Sequence, residues 1–167
     1  MIKSSEIIPV CNKYIEQYHI DNILEPILPN NILSGSLDTL IKNKIQVDTT
    51  QWHLEDEVRN PNITATTGWA IKKKIDLLNQ LRTDLVEEID ARMFDYFSEI
   101  KPHEKSTINS ETPGWIIDRL CILCLKIYHM NEQTLRTDVK VSHINQCIDK
   151  LNILKEQQTD LSNAFEK

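Results

Sequence analysis

The stretch TTQWHLEDEVRNPN, residues 49–62, sets a tryptophan, a histidine, three acids and an arginine ahead of a proline. Carboxylates within a turn of an arginine can act as general acid or base while the guanidinium fixes an anionic substrate; the same groups can equally form a charged clamp between helices. At about 100° per residue, Leu37, Leu40, Val47, Leu54 and Val58 share an apolar arc, and Trp52, Glu55, Asp56 and Arg59 occupy the next arc round. Glu55 is the acid nearest the apolar arc and Asp56 lies one step further out. His53 and Glu57 are expected to point the other way, toward solvent.

A second signal lies downstream. Ile71, Ile75, Leu78, Arg82, Leu85, Ile89, Met93 and Tyr96 form one narrow helical stripe with Arg82 in its middle. A guanidinium cannot lose its charge to escape burial, so an inward Arg82 requires an anionic or carbonyl partner from elsewhere. Either Glu55 or Asp56 is expected to meet it. A third segment, 116–130, is apolar almost all round, as befits the buried centre of a bundle. Its polar residues Asp118, Arg119, Lys126 and His129 fall on one side. Charge placement thus converges from three helices: Glu55, Asp56 and Arg59; Asn79 and Arg82; Asp118, Lys126 and His129.

These residues must be positioned by helices. The 167-residue chain has only three glycines, is rich in Leu, Ile, Glu, Lys, Gln and Asn, and has room for one substantial core. The expectation is an all-α protein, a single domain over 1–167, built as an antiparallel bundle of about five helices. The first helix is expected over about 4–19, interrupted near its start by Pro9; EPILPNNILSGS (25–36) reads as a loop. The second runs over 36–60, capped by Ser36 and stopped by Pro61; the third over 68–98, capped by Thr67. The fourth opens sharply with Thr112 as cap and Pro113 in the first turn, and the fifth runs from about 142 to the chain end.

The net charge of −6 disfavours nucleic acid and anionic membrane as partners, since no basic stripe is present to release counterions. No secretory signal opens the sequence and the longest apolar run, 120–125, is too short for a membrane span, so a cytoplasmic protein is expected. Cys11, Cys121, Cys124 and Cys147 would then stay reduced, and the C-x-x-C of Cys121 and Cys124 reads as core packing. No metal ligand set is expected: EQYH supplies a single Glu-x-x-His (Glu16, His19), where a di-iron bundle needs two pairs and further glutamates. DLVEEID, with Asp84, Glu87, Glu88 and Asp90, reads as a solvated acidic face. There is no phosphate-binding glycine loop and no nucleophile elbow, and no cofactor is assigned.

The segments QWHLEDEVR, KKKIDLLNQLRTDLVEEID and INSETPGWIIDRLCILCLKIYHMNEQTLRTD together resemble a bacterial family of unknown function, DUF4254, over about 18–161. PGWIIDRLCILCLK is also similar to a Gly-x-x-Ile-Asp-Lys/Arg-Leu-x-Ile-Leu signature of another bacterial family often found beside glycosyltransferases. The resemblance implies an α-helical cytosolic protein without an assigned reaction, and by analogy a place in cell-envelope glycan metabolism. Members of the family usually continue into a Lys-, Tyr- and Met-rich tail, whereas this sequence stops at LSNAFEK. If the tail closes a site in relatives, the resemblance implies a protein that is inactive or uses a partner.

Two functions compete at this stage. In one, a polar cleft between the second, third and fourth helices binds a small anionic ligand, a sugar phosphate or nucleotide-sugar. Arg82 and Arg59 clamp the anion; Trp52, Asn79, Asp118 and Lys126 complete the site. Glu55 or Asp56 is the acid/base and His129 the proton shuttle. In the other, the chain is a non-enzymatic interaction or scaffold protein and the charged cluster sets helix register. A homodimer is compatible with both.

Overall fold

The structure, a computed structural model, describes residues 2–21, 23–24 and 28–166. Among the described residues five helices make up the fold: α1 (Ser4–Asp21), α2 (Leu37–Val58), α3 (Ala65–Phe97), α4 (Pro113–Thr134) and α5 (Val141–Phe165). There is no strand among the described residues. The protein is an all-α bundle.

Pro9 does not interrupt α1. The proline and Ser5, whose carbonyl loses its intrahelical partner, are both exposed, so water can replace the missing bond. Ser36 caps α2, accepting from the Thr39 N–H at 3.2 Å, after Gly35 turns the chain at φ +107°. The third helix starts a turn earlier than the sequence suggested. Thr64, not Thr67, is its cap, and the Thr67 N–H is the donor that Thr64 Oγ1 accepts at 3.2 Å. Thr112 and Pro113 open α4 as expected. Of the loop expected over 25–36, residues 25–27 lie outside the described residues; 28–36 form no helix.

The contacts fix the directions. Pairs at 48/82 and 51/79 run α3 antiparallel to α2, those at 82/118 and 90/114 run α4 antiparallel to α3, and that at 124/158 joins α4 to α5 as a hairpin. The start of α1 lies beside the start of α2, around Ile7, Val10, Leu37 and Ile41, while His19 meets His53 at their other ends. Thus α1, α2 and α4 run one way and α3 and α5 the other. The chain returns to the starting end between α1 and α2, with Ile32 buried on the way and its carbonyl accepting from Asn43.

The core is continuous across the helices. Ile7, Cys11 and Ile15 of α1 pack with Leu40, Ile41 and Ile45 of α2, Ile75, Leu85 and Ile89 of α3, and Ile117, Leu120 and Cys121 of α4. As its all-round apolarity requires, α4 is the central helix, touching all the others. The α3 stripe is as read from the sequence except at its end, where Tyr96 is exposed and Phe97, four residues after Met93, takes the inward place. The C-x-x-C cysteines are buried free thiols.

Candidate functional site

Arg82 does recruit anions from other helices. Its Nε and Nη2 donate to the two carboxylate oxygens of Asp118, each at 2.7 Å, a bidentate pairing between α3 and α4. The same carboxylate accepts from Lys44 Nζ of α2 at 2.8 Å, and Lys44 also bonds Asp48, one turn along its own helix. Arg82 Nε lies 3.8 Å from Asp48 Oδ1. Two cations and two carboxylates therefore close a quartet, with Lys44 completely buried and Asp48 and Asp118 nearly so. The expected partners Glu55 and Asp56 are not bonded to Arg82. The antiparallel register sets Asp48 opposite Arg82 and Gln51 opposite Asn79, and carries Glu55 and Asp56 two turns beyond.

The quartet's electrostatics separate its carboxylates. Burial pulls Lys44 toward losing its proton, but Asp48 and Asp118 outweigh it and hold the ammonium above the ordinary lysine value. Burial dominates at Asp48, whose carboxyl is raised despite Lys44. At Asp118 burial acts the same way but is overcome by the Arg82 hydrogen bonds and the Lys44 charge, leaving that group below the usual carboxylate range. Asp48 Oδ1 is buried without a hydrogen-bond partner.

The outer edge of Arg82, 29% exposed, opens onto a groove along α4. One hollow of about 720 Å³ lies against α5, lined by Arg82, Trp115, Arg119, Lys126 and Asp160 among others. A smaller one, about 230 Å³, is bounded by Asp48, Trp52, Glu55, Asp56, Arg59 and Arg82. A third, about 550 Å³, runs on past Trp52, Asp56, Lys126 and His129. Shared walls at Arg82, Lys126, Trp52 and Asp56 join them. Of the residues read from the sequence, Asn79 stands apart: exposed, it accepts from Gln51 Nε2 at 2.8 Å and does not line these hollows. Arg59 is exposed and reaches Asp56 at 3.0 Å and Glu55 at 3.4 Å. Arg119 is held by Glu111. Of the other tryptophans Trp69 is mostly exposed, while Trp115 borders the hollow against α5.

His53 does not face solvent. It is half-buried among His19 of α1 and His129 of α4, with its Nε2 3.2 Å from His19 Nε2. His19 Nδ1 meets the Ile15 carbonyl at 2.6 Å, and His129 Nδ1 meets Glu132 at 2.8 Å. His129 Nε2 is buried without a partner. Trp52 stacks on the His129 ring at 4.9 Å and Tyr18 on His53 at 5.0 Å. Burial, reinforced by the neighbouring imidazoles, depresses His53; at His129 burial also wins, against Glu132.

Residues 38–167 match the family described as protein of unknown function, DUF4254. The chain belongs to that family. Neither a curated protein nor a solved structure matches it. The match begins later than the resemblance seen in the motifs, so the DUF4254 region holds the quartet, the groove, His53 and His129, while α1 and His19 precede it. Reading the sequence missed Lys44, Asp48, His19 and His53. Lys44 and Asp48 left a signal, since 37, 41, 44, 48 and 52 continue one helical stripe of α2. The histidine group left little, because its members come from three helices and share no period; only His19 falls in a ligand-like pattern, the Glu-x-x-His of EQYH.

Proposed function

We propose that this DUF4254 protein binds a small phosphorylated or otherwise anionic organic molecule along the α4 groove. The observation that carries the reading is Arg82, fixed from behind by Asp118 while its open edge faces the groove beside Lys126. A guanidinium held this way is oriented before a ligand arrives, and its planar edge suits phosphate or carboxylate. Lys126, exposed and shared by two hollows, supplies a second positive charge. The Trp52 indole, stiffened by His129, offers a flat wall for a sugar or base. Glu55 and Asp56, across the smaller hollow from Arg82, are the carboxylates such a ligand would meet, with Arg59 beside them. His129 serves as a wall rather than a proton shuttle, because its Nε2 has no access to the groove and its Nδ1 is tied to Glu132.

The hollows have the size of a sugar phosphate or nucleotide-sugar site, and a role in cell-envelope glycan metabolism follows from the motif analogy alone. Four buried free cysteines agree with a cytoplasmic setting, and no helix among the described residues is long and apolar enough to cross a membrane.

A second reading, favoured by the complete burial of Lys44 between two carboxylates, makes the quartet a register clamp in an interaction or scaffold protein. One experiment separates the two. Thermal shift against a sugar phosphate, a nucleoside diphosphate and a nucleotide-sugar is expected to identify a stabilising ligand. Lys126→Ala then weakens binding roughly ten-fold without changing the melting temperature of the free protein, and Arg82→Met abolishes binding. No stabilisation by any of the panel, with Arg82→Met simply unfolding the chain, supports the clamp.

A further inference from the structure

The three histidines gathered from α1, α2 and α4 turn their ring nitrogens toward one another, and beyond the wall that the His129 ring gives the groove the group has no task there. We propose that His19, His53 and His129 bind a zinc ion through their Nε2 atoms, with a water in the fourth position.

The hydrogen bonds on the far side of two rings fix the argument. A backbone carbonyl only accepts, so His19 Nδ1, 2.6 Å from Ile15 O, carries the ring proton of the neutral imidazole and leaves a lone pair on Nε2. A carboxylate likewise accepts, so His129 Nδ1 donates to Glu132 Oε2 at 2.8 Å and its Nε2 is also a lone pair. That second lone pair is buried and receives no hydrogen bond. In the absence of a cation, His53 can donate from Nε2 to His19 only; the His129 acceptor is then left unmet, at a cost that proteins seldom tolerate. A Lewis acid among the rings satisfies all of them. The proton that His53 holds on Nε2 moves to its Nδ1, which keeps the ring neutral, and three lone pairs then face one ion.

The geometry has the required scale. Ligand-capable nitrogens of the three residues all lie within 4.8 Å of one another, and the His19 and His53 Nε2 atoms are 3.2 Å apart. Tetrahedral zinc with bonds of about 2.0–2.1 Å sets its ligand nitrogens about 3.3 Å from each other. A carbonyl behind one imidazole and a carboxylate behind another is the support that metal-bound histidines generally have, because it fixes the tautomer and the ring plane. Stacking immobilises the rings further: Tyr18 lies against His53, Trp52 against His129, and Tyr128 packs 4.4 Å from His19. An all-imidazole set suits zinc among the divalent ions and not magnesium or calcium, which take oxygen donors. No fourth His, Cys, Asp or Glu joins the group among the described residues, so the remaining position falls to solvent, as in exchangeable rather than closed zinc sites.

The site does not depend on the anion-binding reading. The test uses the full chain stripped with a chelator and then dialysed against zinc, cobalt or magnesium. One zinc per chain is expected, with a melting temperature raised by roughly 5–10 °C at a hundred-fold excess of free zinc over its dissociation constant; magnesium has no effect. Cobalt gives the visible bands of a tetrahedral ion without a thiolate charge-transfer band. His53→Gln loses zinc and the cobalt spectrum, whereas His143→Gln, a histidine outside the group, keeps both. Absence of saturable zinc binding, a thiolate band, or zinc retained by His53→Gln overturns the proposal. If circular dichroism shows that His53→Gln fails to fold, the cobalt spectrum of the unaltered chain decides alone.

Discussion

A carboxylate shared by one buried and one half-buried cation has no neutral substitute, and Asp118 is that carboxylate: it accepts from Arg82 twice and from Lys44 once. Asp118→Asn keeps the shape but leaves both cations short of charge, and is expected to cost about 3–5 kcal/mol at pH 7. The sign of its pH dependence follows from the direction of the shift. The folded protein holds Asp118 below its ordinary value because Arg82 and Lys44 outweigh burial. Its stabilisation is therefore complete above the unfolded value of about 3.9 and is lost as pH falls through the folded one. Urea midpoints of the parent and Asp118→Asn should differ widely at pH 7 and begin to converge once the pH falls below about 3.9; a gap unchanged at still lower pH would show that the ionised carboxylate is not what the variant removes. That Arg82 needs such a partner was legible in the sequence, because a guanidinium has no neutral form to fall back on. That the partner is Asp118 was not, since Asp118, Glu55 and Asp56 all carry the right charge and only the way α3 meets both α2 and α4 ranks them. Lys44 stayed hidden for a different reason: a lysine stem on an apolar stripe is ordinarily read as reaching out to water, and here it ends between two carboxylates.

What sets Asp118 at the level of Arg82 is the close approach of α4 to α3 one turn earlier. Thr112 Oγ1 donates to Asp90, and the Gly114 N–H donates to the same carboxylate at 2.7 Å. A Cβ on Gly114 would stand 2.6 Å from the Val86 carbonyl oxygen and 2.8 Å from Asp90 Cγ. The backbone oxygen cannot swing aside, so the helices would have to part. Gly68, also followed by tryptophan near the start of a helix, is the contrast: a Cβ there meets only Ile63 Cγ2, at 3.8 Å. Gly114→Ala is expected to destabilise by about 1–3 kcal/mol, while Gly68→Ala should stabilise by roughly 0.5–1 kcal/mol through helix propensity. Melting temperatures moving in opposite directions check the pair, and a neutral Gly114→Ala would remove the close approach from the account. The two glycine-tryptophan pairs look alike in the sequence because helix starts are written in local residues, as the Thr112 and Pro113 start of α4 was. Which glycine touches a neighbouring backbone is a matter of tertiary distance.

The least legible element at the scale of the molecule is α1. Its residues share no motif with the family match, which starts at residue 38, and a short amphipathic helix with an internal proline gives little sign of where it will lie. Yet Ile7, Cys11 and Ile15 have no exposed surface, α1 packs against both α2 and α4, and Ser4 donates to Glu166 near the end of α5 at 2.6 Å. Running parallel to α2 and α4, it brings His19 to the end where His53 and His129 already stand. Burying each of the two isoleucines is worth about 1.5–3 kcal/mol, and removing α1 uncovers the facing sides of Leu40, Cys121 and their neighbours as well. Against a typical net stability of about 5–15 kcal/mol, the loss is decisive. A chain reduced to residues 37–167, although it spans the whole family match, is therefore expected to lose its cooperative thermal transition and to expose apolar surface to a hydrophobic dye. A truncated chain that instead melts cooperatively near the temperature of the intact protein would mean that α2 to α5 close a core by themselves, with α1 only resting on them.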